Sequence, residues 1–223
     1  MVSIRKLTAV VVLGVAAAVA CGQERAGQPR PSQQADYDVV IRNGRVLDGT
    51  GNAWFYADVA IRDGRIERVA RPGQVRGKAE IDATGLVVAP GFIDVHTHAD
   101  EDAVRNNAAE NFVRDGVTTI VTGNCGGSVR DVGGYFARID ARGAGVNVAT
   151  LIGHNTVLRA TKGDRAGELS PEQMDEAKRI VRKAMEDGAV GLSTGLIYTP
   201  GKYSRTEELI ELAKVAGEFG GIE

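Results

Sequence analysis

Cysteine and histidine are scarce in this 223-residue chain, and neither sign of charge is in excess. The two cysteines, Cys21 and Cys125, lie in very different sequence surroundings, which argues against a disulfide between them. A net charge of −2 without a long basic run argues against a nucleic acid partner. The remaining composition, 43% hydrophobic and 25% charged with 29 glycines, is that of a globular protein.

A long hydrophobic run is also missing. The apolar stretch from Leu7 to Ala20 has 14 residues, whereas a helix that spans a membrane needs roughly 20. Because Arg5 and Lys6 precede it, the stretch is typical of the hydrophobic part of a signal peptide. The segment Ala18-Val19-Ala20-Cys21-Gly22 resembles a bacterial lipobox, in which the cysteine is acylated and becomes the mature N-terminus.

This resemblance predicts a signal peptide with a lipobox over residues 1–21 and lipidation of Cys21. Residues 22–35 are rich in Gln, Gly, Pro, Arg and Ser and are expected to form a flexible linker. The predicted location is the bacterial cell envelope, periplasmic or outer surface, with membrane contact through the lipid anchor alone. An ordinary cleaved signal peptide and a secreted protein are the first alternative, and an uncleaved anchor is the second.

Residues 36–89 have the pattern of a small β domain. Short alternating segments flank Asn43-Gly44 and Asp63-Gly64, dipeptides that favour two-residue hairpin turns because both positions tolerate positive φ. A further strand pair is expected around Thr84-Gly85. The sequence therefore predicts a small antiparallel β-sandwich domain over this range.

From residue 90 onwards the pattern changes to alternating strands and helices, which implies a parallel sheet. The helix that begins after Ser170 has the clearest start, since Pro171 and Gln173 complete a capping box. The predicted strands cover 91–98, 117–121, 146–152 and 189–194, and the predicted helices cover 103–113, 129–140, 171–187 and 206–219. Such alternation fits either a doubly wound sheet or a (β/α)₈ barrel, whose catalytic residues lie at the C-terminal ends of the strands.

His96-Thr97-His98 follows the apolar run Ala89–Val95 and contains two of the three histidines. Side chains two residues apart on a strand share one face, so both imidazoles can bind one metal ion such as zinc. The alternative is a pair of polar residues at the end of a strand. A metal-binding pair at this position favours the barrel over the doubly wound sheet.

Several motifs together resemble one enzyme family. The segment Ala89-Pro90-Gly91-Phe92-Ile93-Asp94-Val95-His96-Thr97-His98 is similar to the signature of metal-dependent amidohydrolases. Gly123-Asn124-Cys125-Gly126, Gly191–Tyr198 and Thr206–Ile210 resemble the N-acyl-D-amino-acid deacylase (D-aminoacylase) branch. The resemblance implies hydrolysis of an N-acyl-D-amino acid, a small-molecule substrate, to a carboxylate and a D-amino acid, with one or two Zn²⁺ ions as cofactor.

The resemblance also implies residue roles. His96 and His98 match metal ligands, and Cys125 matches a thiolate ligand that replaces a carboxylated lysine, for which Lys162 and Lys202 are weaker candidates. Without the family, Cys125 would be read as a small inert residue in a glycine-rich turn. Tyr198 matches a tyrosine of the substrate pocket, with an aromatic lid over the sheet as the alternative. His154 ends the third predicted strand and is either substrate-facing or a structural, hydrogen-bonded histidine.

The later histidine ligands of the family, and the aspartate that serves as its general base, have no counterpart in this sequence. The 133 residues from Gly91 to Glu223 compare with about 250 for a complete barrel. Residues 90–223 are thus expected to be the first half of a (β/α)₈ barrel, truncated at strand five, with no catalytic residue in the fragment, the general base beyond residue 223, and no activity of its own. Two alternatives remain: a cyclic-amide hydrolase similar to dihydroorotase or hydantoinase, and a non-catalytic, envelope-anchored binding module.

Overall fold

The structure of the chain, a computed structural model, describes residues 36–222. The predicted signal peptide, the predicted lipidation site at Cys21 and the predicted linker therefore lie outside the described residues. Two compact units are present, one formed by residues 36–46 and 54–87 and the other by residues 47–53 and 88–222. No helix within residues 36–222 combines the length and the hydropathy required to cross a membrane.

The first unit is built on one five-stranded mixed sheet. Its strands run in the order β3-β2-β1-β4, with β5 also paired to β1. Their bounds are β1 Tyr37–Val46, β2 Phe55–Arg62, β3 Arg65–Ala70, β4 Gly77–Asp82 and β5 Val87–Val88. β1, β2 and β3 pair antiparallel, as predicted, but β4 pairs parallel with β1. The prediction of an antiparallel β-sandwich is wrong for this unit, because the chain crosses from β3 to the far edge of β1 and the strands form a single sheet.

The two glycine dipeptides behave differently in this sheet. Asp63 and Gly64, at φ of 50° and 70°, form the predicted hairpin turn between the paired Arg62 and Arg65. Asn43 also has positive φ, yet β1 continues through it with a register shift between Ile41 and Gly44. The predicted hairpin at Asn43-Gly44 is therefore wrong, and a β-bulge occupies the position.

A buried carboxylate explains why the bulge is stable. The Asp58 side chain is fully buried and accepts hydrogen bonds from the Asn43 N–H and the Arg42 guanidinium, each at 3.0 Å. It also accepts from the Gly73 N–H at 2.8 Å. Because these donors come from distant segments, this contact could not be read from the local sequence.

The second unit contains parallel strands and helices in alternation. Its elements are β6 Phe92–Asp94, α1 Asp102–Arg105, α2 Glu110–Arg114, β7 Val117–Thr122, α3 Val132–Arg142, β8 Asn147–Thr150, β9 Ile152–Gly153, α4 His154–Lys162, α5 Pro171–Glu186, β10 Leu192–Ser193 and α6 Thr206–Gly217. β6, β7 and β8 form one parallel sheet, and β9 pairs parallel with β10. The predicted parallel pairing is confirmed.

Three elements of this unit differ from the prediction. β6 ends at Asp94, so the His96-Thr97-His98 segment follows the strand instead of lying on it. The helix expected over 103–113 is split into α1 and α2, because Ala109 between them has a left-handed φ of 49°. Residues 154–162 form the unpredicted helix α4, which starts without a capping side chain and so lacks the usual sequence signal.

The helices α4, α5 and α6 enclose the main hydrophobic core of this unit. α5 begins at the predicted capping box, in which Ser170 Oγ accepts from the Gln173 N–H and Gln173 Oε1 accepts from the Ser170 N–H. Its buried face packs with Ile152 of β9, Leu192 of β10 and Leu212 of α6. This packing positions the ends of β9 and β10.

Candidate metal centre

The His96-Thr97-His98 segment is attached to the end of β7 through its central residue. Thr97 is buried, and both its backbone N–H and its hydroxyl donate to the Val121 carbonyl, at 3.1 and 3.0 Å. The two imidazoles on either side are exposed and lie with their ring centroids 5.6 Å apart. Burial of the threonine thus presents the two histidines on the same side of the segment.

Cys125 occupies the turn after β7 with a left-handed backbone, at φ of 54°. Non-glycine residues in this region are uncommon, and they concentrate at functional sites where neighbouring contacts maintain the strain. Ser193 of β10 supplies such contacts, since its hydroxyl donates to the Gly123 carbonyl and accepts from the Gly126 N–H at 3.1 Å. A Cβ on Gly126 would lie only 2.5 Å from Asn155 Nδ2, so the turn packs closely against α4.

The two segments bring three potential metal ligands together. Cys125 Sγ lies 3.3 Å from His96 Nε2, and the donor atoms of His96, His98 and Cys125 are all within 4.8 Å of one another. Zinc–nitrogen and zinc–sulfur bonds of tetrahedral sites place two such ligands about 3.5 Å apart. Two imidazoles and a thiolate also form a donor set that suits zinc. The residues present therefore fit a zinc ion, with the same three side chains that the sequence proposes.

A cavity of about 210 Å³ lies beside these ligands. It is lined by His98, Asn124, Cys125, Gly127, Asn155, Arg159 and Tyr198. Tyr198 is 53% exposed and belongs to the loop that follows β10. The structure thus places Tyr198 in the same cavity as two of the proposed metal ligands.

The loop that carries Tyr198 is attached to α4. Asn155 is buried, and its amide donates to the Gly195 carbonyl at 3.1 Å and accepts from the Gly201 N–H at 2.6 Å. The Arg159 guanidinium donates to the Thr199 carbonyl at 2.8 Å. These bonds hold the tyrosine at the cavity wall, and they could not be predicted because their partners are 40 or more residues apart in sequence.

His154 lies apart from this cavity. Its ring is fully buried at the start of α4, with Nε2 3.4 Å from Ser204 Oγ and Nδ1 without a partner among the described residues. Burial lowers the pKa of His154 from 6.5 to about 4, although the nearby Glu208 carboxylate opposes the shift. The position favours the structural alternative for this histidine over the substrate-facing one, since the ring has no exposed surface.

The two lysines considered for the metal site also lie elsewhere. Lys162 is buried and donates to the Gly167 carbonyl, while the Lys202 ammonium lies 4.9 Å from the ring centre of Tyr203. Asp100 precedes α1, and burial raises the pKa of its carboxyl, although a hydrogen bond from the Gly123 backbone opposes the shift. None of these three belongs to the ligand cluster found among the described residues.

Comparison with known proteins finds relatives over most of the chain. Residues 79–220 match the family model described as the amidohydrolase family. A D-aminoacylase from Alcaligenes xylosoxydans xylosoxydans is 33% identical over 214 residues, which cover 86% of this chain and 44% of that protein. The chain thus spans less than half the length of the curated relatives it matches.

Solved structures show the same relationship. The chain superposes with a TM-score of 0.78 and 36% identity on an N-acyl-D-glutamate deacylase from Bordetella bronchiseptica, over 82% of this chain and 43% of the other. That crystal structure contains zinc and a phosphonate inhibitor that mimics the tetrahedral reaction intermediate. A D-aminoacylase crystal structure gives a TM-score of 0.79 at 32% identity, over 83% of this chain and 44% of the other. With its family signature, its α/β fold and its cluster of two histidines and a cysteine, this chain belongs to the amidohydrolase family, as a partial sequence similar to the D-aminoacylases.

Proposed function

We propose that this chain is part of a zinc-dependent hydrolase that cleaves N-acyl-D-amino acids to a carboxylate and a D-amino acid. The observation that carries the proposal is the cluster of His96, His98 and Cys125, whose donor atoms lie within 4.8 Å of one another. The relatives named as D-aminoacylase and N-acyl-D-glutamate deacylase support this substrate class. The cysteine in the cluster favours them over the cyclic-amide hydrolases.

In this proposal His96, His98 and Cys125 hold the zinc, the imidazoles as neutral ligands and the cysteine as a thiolate. When bound, zinc supplies Lewis acidity that polarises an amide carbonyl and makes a water more acidic. Tyr198 offers a phenolic hydroxyl at the wall of the adjoining cavity, where it can bind a polar group of the substrate. Arg159 is the cationic side chain in the lining of that cavity.

We further propose that residues 90–223 form the first part of a (β/α)₈ barrel. Support comes from the parallel pairing of β6, β7 and β8 and from the position of the ligands, which follow the C-terminal ends of β6 and β7. By family resemblance, the general base is an aspartate outside residues 1–223. On this view the chain by itself holds metal but does not turn over substrate.

For residues 1–35 we propose a lipid anchor at Cys21 in the cell envelope, on the sequence pattern alone. Expression in a bacterial host with radiolabelled palmitate is the test. We expect label in the parent chain and none in Cys21→Ser. If neither protein carries label and both are released into the medium to the same extent, the proposed lipid anchor is wrong and the secreted alternative is favoured.

Metal content and substrate range test the enzyme proposal. Elemental analysis of the purified chain should find zinc, and Cys125→Ala should lose most of it.

The nucleotide sequence after codon 223 should continue into a strand that carries a histidine. The protein encoded by that longer reading frame should release D-amino acids from N-acetyl-D-amino acids and should leave the L-isomers, hydantoins and dihydroorotate unchanged. Hydrolysis of the cyclic amides alone would contradict the proposed substrate class.

A further inference from the structure

The amide of Asn124 connects the two segments that carry the proposed ligands. Asn124 is 7% exposed, and its Nδ2 donates to the Thr97 carbonyl at 3.2 Å and to the Val121 carbonyl at 2.9 Å. Thr97 is the residue between the two histidines, and Asn124 directly precedes Cys125. One buried NH₂ group therefore contacts both the imidazole-bearing segment and the strand end from which the thiol-bearing turn departs.

We propose that Asn124 is a positioning residue, which sets the separation between the Cys125 thiol and the two imidazoles before a metal binds. This inference rests on the proposed function of the cluster as a zinc site. Asn124 itself is not among the metal ligands in the proposal. It acts through Cys125, which follows it in the chain, and through the backbone of Thr97.

The other contacts of the site explain why such a tie is needed. Thr97 already holds the histidine segment to Val121, and the side-chain contact from that segment to the Cys125 turn is between two of the proposed ligands themselves, His96 Nε2 and Cys125 Sγ at 3.3 Å. Cys125 has a left-handed φ of 54°, a conformation that a cysteine keeps only where its surroundings maintain it. Ser193 fixes the turn to β10, and its two hydrogen bonds go to Gly123 and Gly126, not to the histidine segment. The Asn124 amide adds a buried hydrogen bond from the start of the Cys125 turn to the backbone between the two histidines.

Removal of the amide has two physical consequences. The Thr97 carbonyl, which is buried beside it, loses a donor, and the Cys125 turn can relax away from the histidines. Groups that support metal ligands from outside typically change metal affinity by about 10–100-fold when they are replaced. We expect a loss of this size for Asn124→Ala.

A control of the same residue type exists at the start of the neighbouring strand β8, where Asn147 is exposed. The Asn147 amide donates to the Thr118 carbonyl at 3.0 Å and to Thr119 Oγ1 at 3.3 Å, at the opposite end of β7 from the ligands. Asn147→Ala therefore removes a similar pair of hydrogen bonds without touching either ligand segment. The parent and both variants are compared in the Cys21→Ser background, so that Cys125 is the only thiol.

Zinc affinity is measured by competition with a chromophoric chelator, and the Co²⁺-loaded proteins are examined for the thiolate-to-cobalt absorption band. We expect Asn124→Ala to weaken zinc binding by about 10–100-fold and to shift or weaken that band. Asn147→Ala should retain both properties of the parent. Zinc affinity of Asn124→Ala within twofold of the parent, or an equal loss in both variants, would overturn the proposal.

A measurement on the metal-free protein separates this inference from the proposed function. The parent should show a nuclear Overhauser effect between the Cys125 β-protons and the His96 ring, and Asn124→Ala should lack it. If the parent binds no zinc but shows this difference, the zinc site fails and the positioning role stands. If both proteins show the same effect, the positioning role fails whatever the zinc affinity.

Discussion

Protonation of His154 is expected to destabilise the folded chain at mildly acidic pH. The imidazole has no exposed surface, and burial lowers its pKa from 6.5 to about 4. Between these two values the unfolded chain binds a proton that the folded chain does not, so the free energy of unfolding falls as the pH falls. The stability that the folded chain has with neutral His154 is fully present above pH 6.5 and is lost progressively as the pH falls towards 4.

The size of the effect follows from the pKa difference. Each unit corresponds to about 1.4 kcal/mol, so the loss reaches about 2–3 kcal/mol near pH 4.5. A loss of this size is a large fraction of a typical stability of about 5–15 kcal/mol. Within residues 36–222, Nδ1 of this buried ring has no hydrogen-bond partner that could stabilise an added proton.

Urea unfolding of the metal-free protein at several pH values between 4.5 and 7.5 measures the effect. His154→Gln, which is neutral throughout this range, is the matched variant, and it leaves the other two histidines in place. Between pH 7 and 4.5 the free energy of unfolding should fall by about 2–3 kcal/mol more in the parent than in the variant. Parallel pH profiles for the two proteins, or an NMR titration of His154 with an ordinary pKa, would refute the reasoning.

Three further predictions concern the metal site and the scaffold. Zinc at 100 times its dissociation constant should stabilise the folded parent by about 2.7 kcal/mol, which raises its unfolding temperature in calorimetry by about 5–10 °C. Cys125→Ala keeps the Cβ and the backbone strain but should abolish this shift in unfolding temperature. Gly126→Ala should destabilise the chain by more than Gly143→Ala in urea titrations, because both positions have positive φ but only the first Cβ meets a neighbour, Asn155 Nδ2 at 2.5 Å; equal losses would mean that the contact relaxes freely. Ser170→Ala should lower the free energy of unfolding by about 1 kcal/mol in the same assay, since it removes the side-chain cap of α5. Ser170→Asp, which can also cap the helix, should retain most of that stability.

Elements with strong local signals were predictable from the sequence. Asp63-Gly64 forms a hairpin because adjacent positive φ values are a local preference, and α5 starts at Ser170 because the capping box involves residues three apart. Asn43-Gly44 has the same local preference as the hairpin but forms a bulge, because the buried Asp58 carboxylate satisfies its backbone. α4 starts without a capping side chain, so no local sequence pattern predicted this helix.

The sequence by itself supplied the residue types of the site: imidazoles two residues apart are a candidate metal-binding pair, and the motifs that resemble the amidohydrolase signature indicate the family and imply that Cys125 is a ligand. The tertiary structure decided which groups meet. It brings Cys125 Sγ to 3.3 Å from His96 Nε2, connects their segments through Asn124, and buries His154 away from the cavity. The reason is physical, since residue type sets which atoms can bind a metal, whereas their separation depends on hydrogen bonds between residues far apart in the chain.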